Sequence, residues 1–290
     1  MTKLEKEDSS VEAASHVSIT VLCENWARGN LLGEHGLSLW IEVDGTSILF
    51  DTGRGRTLFY NARQLDIDLK RADAIVISHG HYDHAGGLSH YLEKYGPTDV
   101  YLPQKAFVTR YAPDENRPIG MPHPRSHYDK LGARWRPAGA ITRSATVVTV
   151  GPHHPHPHSG ANRFTYRDAD GTPHKDAFSD EQILVIQTEQ GIILVTGCTH
   201  TGLDHCLRRG LDAAGTARLY GLIGGLHLEK ARAGFLADVT GRLARHQPQL
   251  VGPCHCTGQK AVARIARMLP AAFLPMGTGV TWSHPPEDSL

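Results

Sequence analysis

The chain has 290 residues, 40% of them hydrophobic and 21% charged, which is enough apolar content to bury a core and too much for a disordered polymer. Thirty Lys and Arg balance 30 Asp and Glu, so no net field draws the chain to nucleic acid or to an anionic membrane. No apolar run approaches the roughly 18 residues that a membrane span requires, and the segment Met1–Ser15 is polar and lacks an apolar signal core. The expectation is a soluble, cytoplasmic protein with a flexible tail over 1–15 and one domain over 16–290. The 19 histidines and five cysteines stand out. An odd number of cysteines argues against a disulfide framework, and the histidine excess makes metal binding worth pursuing.

Taken in chain order, residues 16–22 alternate and are β-branched, which predicts a strand. Residues 37–43 and 47–50 read as a hairpin joined by the turn pair Asp44-Gly45. A helix is expected over 56–65, a buried strand over 74–77 and a helix over 88–95. The prolines between 113 and 137 predict a long loop or lid, and 152–175 reads as a second irregular stretch, with a strand over 145–150 between them. Strands then follow at 182–187, 192–196, 219–223 and 249–252, interleaved with helices over 203–214, 235–246 and 259–268. Four short apolar strands end in loops that carry a histidine: His79, His200, His227 and His255. Ligand sites of α/β proteins gather beyond strand ends, where loops converge over a rigid sheet.

The densest chemistry is the run His79-Gly80-His81-Tyr82-Asp83-His84. Residues two apart on an extended loop share a side, so His79 and His81 can face one metal, with Asp83 and His84 facing another. Imidazole with carboxylate suits Zn²⁺, Fe or Mn²⁺. Two such ions a few ångströms apart can activate water and steady a leaving oxygen.

This run resembles the signature of the metallo-β-lactamase superfamily. Supporting segments are Glu34-His35-Gly36-Leu37-Ser38, Leu49-Phe50-Asp51-Thr52-Gly53, Asp180-Glu181-Gln182, Thr196-Gly197-Cys198-Thr199-His200, Gly224-Gly225-Leu226-His227 and His255-Cys256-Thr257-Gly258. Together they are similar to a subfamily of dihydropterin ribofuranosylaminobenzene 5′-phosphate synthases. The resemblance implies an α/β fold, the metallo-β-lactamase-like αββα four-layer sandwich, over roughly 16–282. It also implies a hydrolase or transferase with two divalent metal ions, zinc in the first instance and manganese or iron otherwise. His79 and His81 match ligands of the first site, while Asp83, His84 and His255 match the second. Where the superfamily carries a bridging aspartate this chain has Cys198, and counting back from it meets Asp180 and Glu181, not a histidine.

His200 is therefore the preferred third ligand of the first site. Cys198 either ligates as a thiolate or is a small buried core residue. Asp180 either coordinates or orients a ligand, and Asp51 is expected to hold a ligand histidine by its far N–H. His227 is a ligand, a general acid, a substrate contact or a core histidine; Asp83 and His227 are the candidate catalytic groups. Cys254 and Cys256 flank His255 and on an extended chain would point to the side opposite it, which favours packing. The run Pro152–His158 reads as a solvated loop. Arg54, Arg56, Lys105 and Arg125 are either anion contacts or surface charge. The expected partner is an anionic small molecule, not nucleic acid or membrane. Iron-based oxidation and non-catalytic ligand binding are the competing functions.

Overall fold

The computed structural model describes residues 12–112, 117–168 and 170–285. The first half comprises β1 (Val17–Cys23), β2 (Ser38–Val43), β3 (Thr46–Phe50), α1 (Leu58–Gln64), β4 (Ala74–Val76), α2 (Tyr82–Ala85), α3 (Leu88–Tyr95), β5 (Thr98–Tyr101), β6 (Thr109–Ala112), β7 (Arg117–Pro118), α4 (Arg125–Lys130) and β8 (Ala133–Arg136). The second comprises β9 (Ala145–Thr149), β10 (Thr165–Arg167), β11 (Pro173–Lys175), β12 (Gln182–Thr188), β13 (Gly191–Thr196), α5 (Leu203–Ala214), β14 (Leu219–Gly225), α6 (Ala233–Arg245), β15 (Leu250–Cys254), α7 (Gln259–Met268) and β16 (Thr281–His284).

Two mixed sheets carry the fold, with strand orders β16-β1-β2-β3-β4-β5-β8 and β15-β14-β13-β12-β9. Strand alternation explains how they stack. In β12, Leu184 and Ile186 face the other sheet, where Ile19, Leu39, Ile41 and Ile48 meet them. Ile183 and Val185 on the opposite face pack with Leu203, Leu207, Val239 and Ile265 of α5, α6 and α7. Beyond the first sheet, Trp40, Leu49, Ile75 and Val100 pack with Leu58, Leu88, Tyr91 and Tyr128 of α1, α3 and α4. The result is the expected order of helices, sheet, sheet, helices. In α5 the buried residues Leu203, Cys206, Leu207 and Gly210 form one stripe at helical spacing, and Gly215 ends the helix in the left-handed conformation at φ 63°.

Strands β3, β4 and β5 are mutually parallel, as are β13, β14 and β15. Parallel pairing brings the carboxyl ends of each set to one edge, and the histidine loops leave from those ends.

Several expectations need correction. The segment 113–137 is not one loop. Its described part contains α4 and β8, because Tyr128 buries itself against Phe107 and Trp135 while β8 extends the first sheet beside β5. The stretch 152–175 contributes β10 and β11 to a small third sheet, ordered β11-β10-β6-β7. Strands β5, β6 and β16 were not anticipated. The run 152–158 is only partly solvated: Pro155 is buried, His153 stacks on His205 at 4.6 Å and His156 stacks on Phe235 at 4.6 Å. Of the expected tail, residues 1–11 lie outside the described residues; Ala14 is buried and donates its N–H to Gln187 O at 2.7 Å. Among the described residues no helix is long and apolar enough to cross a membrane.

Candidate metal centre

Nε2 of His79 lies 3.0 Å from Nδ1 of His81 and 3.1 Å from Nε2 of His200. A second cluster begins at His84, whose Nε2 lies 3.2 Å from Cys198 Sγ and 3.2 Å from His255 Nε2. His79, His84 and Cys198 offer donor atoms all within 4.8 Å of one another, so the two clusters adjoin. Asp83 Oδ2 lies 3.6 Å from His255 Nε2 and 3.2 Å from Nε2 of His35, whose side chain is half exposed. His227 shares a donor group with Cys198 and His200, and its Nδ1 is buried without a hydrogen-bond partner. The expected ligand residues are thus brought together. Asp180 is near them but joins no donor group among the described residues.

The donor set fits a metal. His79 Nε2 faces two ring nitrogens at once, and one proton can satisfy only one of those contacts. Burial and the positive charge of neighbouring groups hold His79, His81 and His200 well below the ordinary histidine pKa, leaving them neutral with lone pairs that converge. Burial opposes a charge on His84, but Asp51 and then Asp83 more than offset it and push its pKa up to about 9. Burial also opposes charge on Asp83; the His35 hydrogen bond and the histidines around it hold its carboxyl well below the usual range.

Buried carboxylates fix the loops that carry these donors. Asp51 Oδ1 accepts from Ser78 N–H at 2.7 Å; its Oδ2 accepts from Ser78 Oγ at 2.7 Å and pairs with His84 Nδ1 at 2.6 Å. Ser78 Oγ in turn lies 2.9 Å from His79 Nδ1. One aspartate thereby sets the tautomer of His84 directly and of His79 through a hydroxyl, turning each Nε2 towards the donors. Asp180 Oδ2 accepts the Gly80 N–H at 2.8 Å, and its carboxylate is gripped by buried Arg110, which also pairs with Asp176. Glu181 accepts the N–H groups of His200 and Thr201 at 2.6 and 2.9 Å. Glu24 accepts the His255 N–H at 2.7 Å. Asp180 therefore orients the backbone between His79 and His81.

The backbone is wound tightly here. Asp51, Thr199, His227 and His255 all have φ between 47° and 57°, a region that non-glycine residues avoid unless their surroundings fix them. A Cβ on Gly197 would lie 2.0 Å from Ser78 Oγ, so only glycine lets β13 deliver Cys198 beside the aspartate relay. Phe178 stacks flat on His200 at 4.1 Å, and Phe164 closes on His81, His200 and His227 within 5.4–5.6 Å. These rings belong to a small apolar cluster beside the third sheet.

One expectation fails locally. The chain after β15 is not extended: His255–Thr257 form a 3₁₀ turn, and the positive φ of His255 swings Cys256 inward until its Sγ lies 3.2 Å from Cys198 Sγ. Burial disfavours charge on both thiols, but hydrogen bonding with Cys198 and His227 holds Cys256 well below the ordinary thiol range. Cys254 points away, into the inter-sheet core. Arg125 pairs at the surface with Asp129 and stacks on Trp135. Sequence reasoning did not find Glu24, Arg110, Phe178 or Asn25, whose Oδ1 lies 3.3 Å from His255 Nδ1. Ser78 carried a signal, a hydroxyl directly before the first ligand histidine.

Residues 32–211 match the metallo-β-lactamase superfamily, and the chain belongs to it. A solved structure described as a metal-dependent hydrolase of the β-lactamase superfamily is 30% identical, with a TM-score of 0.75, over 92% of this chain and 98% of its own. The 7,8-dihydropterin-6-methyl-4-(β-D-ribofuranosyl)-aminobenzene-5′-phosphate synthase of Methanocaldococcus jannaschii is 27% identical over 87% of this chain and 91% of its own length. The metallo-β-lactamase fold protein YhfI of Bacillus subtilis shares the fold at 11% identity, with a TM-score of 0.54.

Proposed function

We propose that this protein is a metal-dependent hydrolase with a dinuclear centre acting on an anionic small molecule. The observation that carries the reading is the adjacency of the two donor clusters at His79, His84 and Cys198. His79, His81 and His200 would hold one ion; Asp83, His84, Cys198 and His255 would hold the other. Zinc suits this mixture of imidazole, thiolate and carboxylate, with iron next. Ions bound there supply Lewis acidity, which lowers the pKa of water towards about 7 and offsets charge on a leaving oxygen.

The protein's own groups do the rest. Asp83 Oδ2, beside half-exposed His35, accepts a hydrogen bond from the attacking water and orients it. His227 Nδ1, buried and unpartnered, is free to bind the substrate or to donate to its leaving group. Phe164 and Phe178 keep water from the His81 and His200 side. An anionic substrate is favoured by a cavity of about 580 Å³ lined by Arg54, Arg56, Tyr82 and His123, with Tyr82 directly following His81. Arg54 lies over the Tyr82 ring at 5.1 Å.

A second reading, transfer onto an arylamine with a phosphorylated pterin-type substrate, rests on the likeness to the archaeal synthase. Elemental analysis of protein purified without added metal, followed by a phosphoester, lactone and ester panel, tests the proposal. About two zinc ions per chain and hydrolysis that disappears in His81→Ala and Asp83→Ala are expected. Iron with oxygen uptake would move the assignment to oxidation. Ligand binding without turnover would leave a binding protein.

A further inference from the structure

Five cysteines are buried, and they fall into two kinds. Cys23, Cys206 and Cys254 each belong to a hydrophobic cluster, packed among leucine, isoleucine and valine side chains. Cys198 and Cys256 belong to no such cluster among the described residues; each faces the other's sulfur and the ring nitrogens of the metal centre. We propose that Cys256 is a second thiolate ligand of the metal held by His84, Cys198 and His255, taking the ligand place given above to Asp83 and leaving that carboxylate at the edge of a two-nitrogen, two-sulfur site.

The donor atoms form a continuous chain of contacts. Cys256 Sγ is 3.2 Å from Cys198 Sγ, which is 3.2 Å from His84 Nε2, which is 3.2 Å from His255 Nε2. Cys198, His255 and Cys256 form one donor group, all within 4.8 Å, which His84 adjoins through its contacts with Cys198 and His255. A tetrahedral zinc with bonds of about 2.3 Å to sulfur and 2.0–2.1 Å to nitrogen sets its ligand atoms roughly 3.3–3.8 Å apart, so these three contacts would open slightly, the two sulfurs most, around a bound ion.

The surroundings are built for a sulfur that carries charge. The His227 backbone N–H donates to Cys256 Sγ at 3.3 Å, and an N–H aimed at a metal-bound thiolate is the outer-shell support such ligands use. Gly225 makes the room: a Cβ there would lie 2.7 Å from that sulfur. The strained turn at His255 is what brings the imidazole and the following thiol to the same ion.

The consequence is a division of labour within the centre proposed above, on which this inference rests. The three-histidine position keeps room for water. The two-thiolate position is closed and soft, holding zinc or iron and rejecting manganese.

Cobalt(II) loading under reducing conditions tests this without any substrate. Thiolate-to-cobalt charge-transfer absorption in the near ultraviolet is expected in the wild type, at about half intensity in Cys256→Ser and in Cys198→Ser, and absent in the double variant. Because a variant can fail to fold, X-ray absorption of the wild-type zinc protein supplies a second count, with two sulfurs per chain in the shell near 2.3 Å. Full absorption in Cys256→Ser, or a single sulfur in that shell, would overturn the proposal and assign Cys256 to packing. A Cys198–Cys256 disulfide in the reduced, metal-loaded protein would overturn it too. Two cobalt-bound sulfurs with no turnover on any ester would leave the ligand standing and remove the hydrolase reading. A chain that takes up no metal removes both.

Discussion

Asp51 Oδ2 lies 2.6 Å from His84 Nδ1 with both side chains fully buried, and the Ser78 hydroxyl carries the same carboxylate's influence to His79. The residue therefore governs one histidine of each cluster without belonging to either. Asp51→Asn should lower metal affinity about 10- to 100-fold while the sheets stay folded. Competition with a chelator, monitored beside circular dichroism, measures this; wild-type affinity in the variant would dissociate the aspartate from ligand orientation.

Asp180 and Asp176 together neutralise Arg110, which is 1% exposed. Removing one partner leaves a buried charge short of its compensation and frees the Gly80 N–H. Asp180→Ala is expected to cost about 3–5 kcal/mol of stability, read from urea denaturation. A loss under about 1 kcal/mol would mean that water reaches Arg110 readily.

Gly197→Ala places a methyl group where the Ser78 hydroxyl stands. The expected cost is about 1–3 kcal/mol from overpacking, together with weakened metal retention as the aspartate relay is pushed aside. Ser78→Gly in the same chain removes the obstructing oxygen, so the two changes combined should cost less stability than their sum. Strict additivity in that double-mutant cycle would deny the contact.

Tyr91 and Tyr128 are buried, and that burial pushes each phenol up to about 12. A phenol whose folded pKa exceeds its unfolded value of about 10 favours folding fully below pH 10. That contribution is lost as pH rises through about 12. Ultraviolet titration should show these two ionising late, with unfolding free energy falling across the same interval; ionisation of all tyrosines near pH 10 without unfolding would contradict their burial.

The parts of the centre that lie close in sequence were legible from it. His79 to His84 announce themselves by spacing alone, and the strand-to-histidine junctions at Cys198–His200 and His255 follow from short apolar runs that end abruptly. What holds them was not legible. Glu24 and His255 are 231 positions apart, and Asp180 and Gly80 are 100 apart; no local pattern couples such pairs. The irregular segments misled for a related reason. Strands β10 and β11 are three residues each, too short for alternation to show, and they exist because β6 offers an edge to pair with. Cys256 was hidden by an assumption of extended backbone, when the left-handed φ of His255 reverses which way its neighbour points.

The pairing of β1 with β16, from Val17 opposite His284 to Thr20 opposite Thr281, makes β1 wait for a strand made far later in the chain. During synthesis the amino-terminal sheet emerges with one edge open, and Glu24, just beyond β1, has no His255 backbone to hold. Assembly of the centre therefore follows the emergence of β15 and the His255 turn, not of the amino-terminal sheet alone. A chain clipped before Thr281 would present β1 as an exposed, apolar, unpaired edge, the kind of surface that recruits other strands, so the four-residue β16 guards the molecule against self-association as much as it completes the sheet.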